Sequence, residues 1–149
     1  MEAWPFTEDE WQAVGDAALA RLNATFAHDE ALRESCLLTL REVLAELRNR
    51  HGDHPILWET EADFTDADEE RVALHGRAVA AAEADGFQTL TIRISLAEAL
   101  LRLSRPAEAR AELLACADER EEIGDELDRR WWAEAMDECE RLLVPSPPA

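Results

Sequence analysis

His51 and His54, three residues apart, are the closest this chain of 149 residues comes to a metal motif. Imidazole nitrogens suit Zn²⁺, but a zinc site takes three or four ligands in a tetrahedral array. Two histidines in one turn supply half of such a set, and no cysteine stands near them. The pair reads as a solvated, helix-ending loop. Asp66-Ala67-Asp68-Glu69-Glu70 has the look of a calcium loop. Such a loop needs a glycine at its sixth position and a glutamate at its twelfth, where this chain has Arg71 and Arg77. Acids that open a helix have a plainer use, against the positive end of its dipole. Cys36 with His28 would be a nucleophile and its base, but eight residues of helix hold them two turns apart. No G-x-S-x-G, phosphate loop or dinucleotide fingerprint occurs. The chain is read as a non-enzyme with no catalytic residue, no cofactor and no metal.

Composition narrows the partners. Acidic residues number 34 against 15 basic ones, a net charge of −19. Every basic residue is arginine, and the acidity is spread along the whole chain. Such a field repels nucleic acid and anionic lipid. It suits a basic protein or peptide partner, or it serves solubility. No apolar run approaches the roughly 20 residues needed to cross a bilayer. The acidic first residues show no basic-then-apolar signal pattern. A soluble cytoplasmic protein with neither nucleic acid nor membrane as partner is the expectation. Cys36, Cys116 and Cys139 are odd in number, widely spaced and set among apolar residues, as reduced, buried thiols would be.

Alanine occurs 27 times and tyrosine not at all, a helix-former's composition. Thr7 and Glu10 form a capping-box signature, and Phe6 and Trp11 hold the positions of a hydrophobic staple, predicting a helix over 8–26. Leu32, Cys36, Leu40, Val43, Leu44 and Leu47 recur at spacings of three and four and predict a second helix over 29–50. Gly52 and Pro55 end it. A short third helix follows over 55–64. A fourth runs to residue 85, with Val72, Ala73, Val79 and Ala82 turned inward. The fifth, over 87–103, is apolar on two faces and so predicts a helix enclosed by neighbours. Its alternation Thr89-Leu90-Thr91-Ile92-Arg93-Ile94 also fits a short strand, but the pattern continues unbroken into Leu96-Ala97-Glu98-Ala99. A sixth helix over 106–118 carries Ala109, Leu113, Leu114 and Cys116 inward. A seventh covers 125–143, with Leu127, Trp131, Ala135, Cys139 and Leu142 on its apolar side. Trp132, about 100° further round, is then partly exposed and available to a partner. The tail, 144–149, is expected to be extended and mobile.

Ala97-Glu98-Ala99 recurs as Ala133-Glu134-Ala135, an offset of 36 residues, and glycine breaks recur at a similar period. Each unit holds two helices, which must stack on neighbours to bury both faces. With Trp11, Val14, Gly15 and Ala18 in the first helix, Pro55 closing a unit, and small residues at Ala78, Ala97, Ala109 and Cys116, the chain resembles the tetratricopeptide repeat family. The resemblance covers about 8–143. It implies one all-α domain of about seven helices, stacked as a short right-handed superhelix. Hairpins would span 8–51, 55–85 and 87–118, with a capping helix over 125–143. It also implies a concave groove lined by Asp63, Arg93, Ile94, Glu98, Leu101, Arg102, Arg130 and Glu134. The three arginines would clamp a carboxylate, or pair with neighbouring acids. The function expected is an adaptor that binds a peptide or protein partner. The alternatives are a small acidic chaperone for secreted substrates, and a homo-oligomerisation module, a homodimer for example, with Trp4, Trp11 or Trp132 at the contact.

Overall fold

The computed structural model describes residues 4–145. Among these residues eight α-helices follow one another: α1 Glu8–Phe26, α2 Glu30–His51, α3 Pro55–Asp63, α4 Asp68–Asp85, α5 Leu90–Arg102, α6 Pro106–Ala115, α7 Ala117–Ile123 and α8 Glu126–Leu143. Among the described residues there is no strand, and the alternating 89–94 segment is helical from Leu90 on. The count exceeds the expected seven by one. The sixth helical segment breaks at Cys116, whose backbone leaves the helical region at φ −113° and ψ 16°, and restarts as α7. Of the predicted tail, residues 146–149 lie outside the described residues.

Local chemistry sets the ends. The Thr7 hydroxyl accepts from the Glu10 amide while the Glu10 carboxylate accepts from the Thr7 amide, the reciprocal pair that starts α1. Asp125 and Asp128 do the same for α8. Asp29 caps α2 through the Leu32 amide. His54 caps α3 by accepting from the Ile56 amide through Nδ1, with Pro55 in the first turn. Gly86 ends α4 in the left-handed region at φ 74°, which turns the chain so that the Phe87 amide donates to the Ala82 carbonyl.

The core has two parts. Phe6, Val14 and Ala17 meet Leu40, Leu44 and Leu47 of α2 and Leu57 of α3 in the first. The second gathers Ala78, Val79 and Ala82 of α4, most of α5, Ala109 and Leu113 of α6, and Trp132, Ala135, Met136 and Cys139 of α8. α5 packs against α4, α6 and α8 together. It buries Leu90, Ile92, Ile94, Leu96, Ala97, Ala99 and Leu100, the two-sided burial its sequence predicts. Ala97 and Ala109 are fully buried. Side chains no larger than a methyl let helix axes approach closely. The short α3 faces both parts, with Leu57 in one and Trp58 against the other.

Several predicted stripes are rotated. In α8 the buried side is Trp132, Ala135, Met136 and Cys139, whereas Leu127, Trp131 and Leu142 are exposed. Trp132 is therefore the inner tryptophan, 9 % exposed, and Trp131 the outer one, 41 % exposed. The cause lies at the end of α6. There the Leu113 carbonyl, which accepts from the Cys116 amide at 3.3 Å, also accepts from the Trp132 indole N–H at 2.8 Å. Arg120 of α7 then covers the same indole, 3.9 Å from the ring centre. Leu32, Ala73 and Leu114, expected inside, are also exposed.

Candidate functional site

Rings gather where the N-terminal segment meets the α2–α3 and α4–α5 turns. His54 lies edge-on to Trp4 at 5.8 Å, to Phe6 at 5.5 Å and to Phe87 at 4.9 Å. Pro55 and the cap role fix His54, and the left-handed Gly86 throws Phe87 back towards it. Beside this cluster opens a cleft of about 630 Å³. Trp4, His54 and Phe87 line its aromatic side. Glu59 and Asp63, one turn apart on α3, and Asp85 at the end of α4 line its acidic side, with Thr91 of α5 on its floor.

The carboxylates are set differently. Glu59 reaches 2.5 Å from Nδ1 of His75, a fully buried side chain on α4 whose Nε2 has no hydrogen-bond partner among the described residues. Asp63 and Asp85 form no ion pair among the described residues. Burial first, and the neighbouring Glu59 charge second, push the Asp63 carboxyl above the usual range, against a smaller pull from His75 and Arg71. No arginine lines the cleft.

A smaller hollow of about 350 Å³ continues from it. Thr91 belongs to both, and Ile94, Ser95 and Glu98 of α5 with Trp131 of α8 complete the second. Residues 91, 94, 95 and 98 share one side of α5. Together the two hollows run across α3, α5 and α8.

No family model, curated protein or solved structure matches the chain. What the groove can do follows from its own lining.

Of the residues predicted to line a groove, Asp63 lines the first hollow, and Ile94 and Glu98 the second, with Ile94 nearly closed over. The arginines are taken up elsewhere. Arg93 is held by Glu83, by Glu112 at 2.5 Å and by the Thr89 hydroxyl. Arg102 donates to Asp68 at 2.9 Å. Arg130, exposed near the start of α8, lies 4.0 Å from Glu134. Leu101 packs against the second core part, and Trp132 is buried within it. Sequence reasoning missed Trp4, His54, Glu59, Phe87, Thr91 and Trp131 as lining residues. The one signal available was the one-turn spacing of Glu59 and Asp63.

The motifs weighed for chemistry have other partners. His51 Nε2 lies 2.9 Å from the Glu10 carboxylate. Asp66 accepts two hydrogen bonds from Arg33, each 2.7 Å. Burial pushes the Cys116 thiol up to about 11 and raises Cys139 too, away from the thiolate a nucleophile needs. Among the described residues no three His, Cys, Asp or Glu side chains gather as metal ligands. Among them, too, no helix is long and apolar enough to cross a membrane.

Proposed function

We propose that this chain is a tetratricopeptide-like adaptor that holds a peptide or partner segment along the α3–α5–α8 groove, by shape and charge and without bond-making chemistry. The observation that carries this reading is the shared Thr91: two hollows meeting on one side of α5 form an open track lined chiefly by α3, α5 and α8. Aromatic and aliphatic walls supply apolar contact, and a few acids along the track fix orientation. In a stack of hairpins, α3, α5 and α8 are the first helices of successive units, which is where such a groove belongs. Panning a random peptide library on the protein tests the reading. Selected peptides should lose binding at least tenfold to Thr91→Arg and keep it with Ala107→Arg, an exposed position on α6. Equal binding to both variants would overturn it.

A second reading, a dimeric acidic chaperone, draws on a different feature. Leu19, Leu22 and Phe26 are 56 %, 43 % and 78 % exposed. Their spacings of three and four put them on one outer side of α1. Light scattering separates the two: a dimer that Leu22→Glu dissociates supports the second, and a monomer at every concentration excludes it.

A further inference from the structure

The cleft at the Trp4 end of the groove has the chemistry of a cation receptor, and the rest of the fold shows how this chain handles cations. Trp58 carries two guanidinium groups, Arg48 at 4.0 Å and Arg77 at 5.0 Å from its ring centre. Trp132 carries Arg120. Trp4 meets Phe6, Trp11 and His54 in T-shaped contacts, carries no guanidinium among the described residues, and is 53 % exposed where it lines the cleft. A half-exposed indole beside carboxylates is a place a flat cation fills well. Two of the acids there have no ion-pair partner among the described residues: Glu59 has His75 behind it, but Asp63 and Asp85 lack one. Desolvation beside the cleft first, and the Glu59 charge second, disfavour the Asp63 carboxylate, and an incoming cation offsets both.

Resting on the groove reading above, we infer that this cleft receives the guanidinium of an arginine side chain in the bound peptide, stacked on Trp4 and Phe87 and bonded to Asp63 and Asp85. Arginine suits it better than lysine. A guanidinium is planar and weakly hydrated and can stack and bond at once, whereas an ammonium is a compact, strongly hydrated point charge. A volume of about 630 Å³ lies in the range of small-ligand pockets, ample for one side chain and its flanking backbone. The net charge of −19 steers such a peptide inward.

The test is an NMR titration of the isotope-labelled protein with three probes. These are a short Ala/Ser peptide bearing one central arginine, the same peptide with citrulline in its place, and free arginine amide. The arginine peptide should move the Trp4 indole, Gln88 and Thr91 signals. Citrulline, alike in shape but uncharged, should bind at least about tenfold more weakly. Asp63→Asn and Asp85→Asn, both at exposed positions, should each cost the arginine peptide a similar factor and leave the citrulline peptide unchanged. Equal binding of the arginine and citrulline peptides overturns this inference and leaves the groove reading standing. No groove shift with either peptide overturns both. Free arginine amide binding as tightly as the peptide would make the cleft a small-cation site and overturn the peptide-borne source.

Discussion

The Arg21 guanidinium, almost fully buried, donates to the Phe64 carbonyl through two nitrogens, at 2.7 and 3.0 Å. Phe64 is the C-cap of α3, so its carbonyl has no helical donor of its own. The same guanidinium reaches Asp66 at 3.3 Å, which Arg33 of α2 grips from the other side. One arginine on α1 thus ties the first hairpin to the α3–α4 turn. Arg21→Met should lower stability by about 2–4 kcal/mol, because it strands a carbonyl and loosens a charge network. Arg33→Met, nearer the surface and more screened by solvent, should cost less. Urea denaturation of both variants compares them. Equal, small losses would mean that the tie contributes little.

Acid should weaken the first hairpin in a defined window. The Thr7 amide chiefly, with His51 and Arg50 beyond it, holds the Glu10 carboxyl at about 2, down from an ordinary 4.5. A depressed folded-state value stabilises above the unfolded one and is lost as pH falls through the folded one. Glu10 therefore contributes fully above about pH 4.5 and ceases to contribute near pH 2. Asp66, lowered by Arg33, acts in the same direction, whereas Asp63, raised by burial, opposes them. Thermal melts from pH 6 to pH 2 should show a steeper decline for the parent protein than for Glu10→Gln. Parallel curves would rule the contribution out.

α5 begins without a side-chain cap of its own. Glu119 of α7 supplies one from 30 residues away, accepting from the Thr89 amide at 2.7 Å, the Thr89 hydroxyl at 2.8 Å and the Leu90 amide at 2.9 Å. A carboxylate at a helix N-terminus also meets the positive end of the dipole. Glu119→Ala should destabilise by about 1–2 kcal/mol. Glu122→Ala, three residues on and exposed, should stay within about 0.5 kcal/mol of the parent. Calorimetry on the pair tests whether α7 serves α5 in this way.

Ala97 is fully buried where α5 is enclosed by its neighbours. Ala97→Leu should overpack that contact and cost about 1–3 kcal/mol. An unchanged melting temperature would show that the helices part easily there.

Helix identity and most helix ends were legible because their causes are local. Thr7 with Glu10, Gly86, and Pro55 after Gly52 act within a few residues of themselves, and the two-sided burial of α5 is written in its period. What stayed hidden depends on distant partners. Trp131 and Trp132 both fit a helical stripe, and the Leu113 carbonyl on another helix selects the second. Arg93 and Arg102, candidates for gripping a ligand, are held by Glu83, Glu112 and Asp68. The Gly124 break was visible but its reason was not: a β-carbon there would meet the Arg120 carbonyl oxygen at 2.5 Å. Trp4, His54 and Phe87 come together from the N-terminal segment and two separate turns, a convergence that no spacing records.

Neighbouring residues of α3, Leu57 and Trp58, serve different halves of the interior. Nine residues are too few for a helix to persist by itself in water. Neither half can thus loosen privately, since either one letting go removes the buttress that keeps α3 wound and takes a wall from the other. The two halves are therefore expected to melt together in a single transition, because the short link between them owes its shape to both.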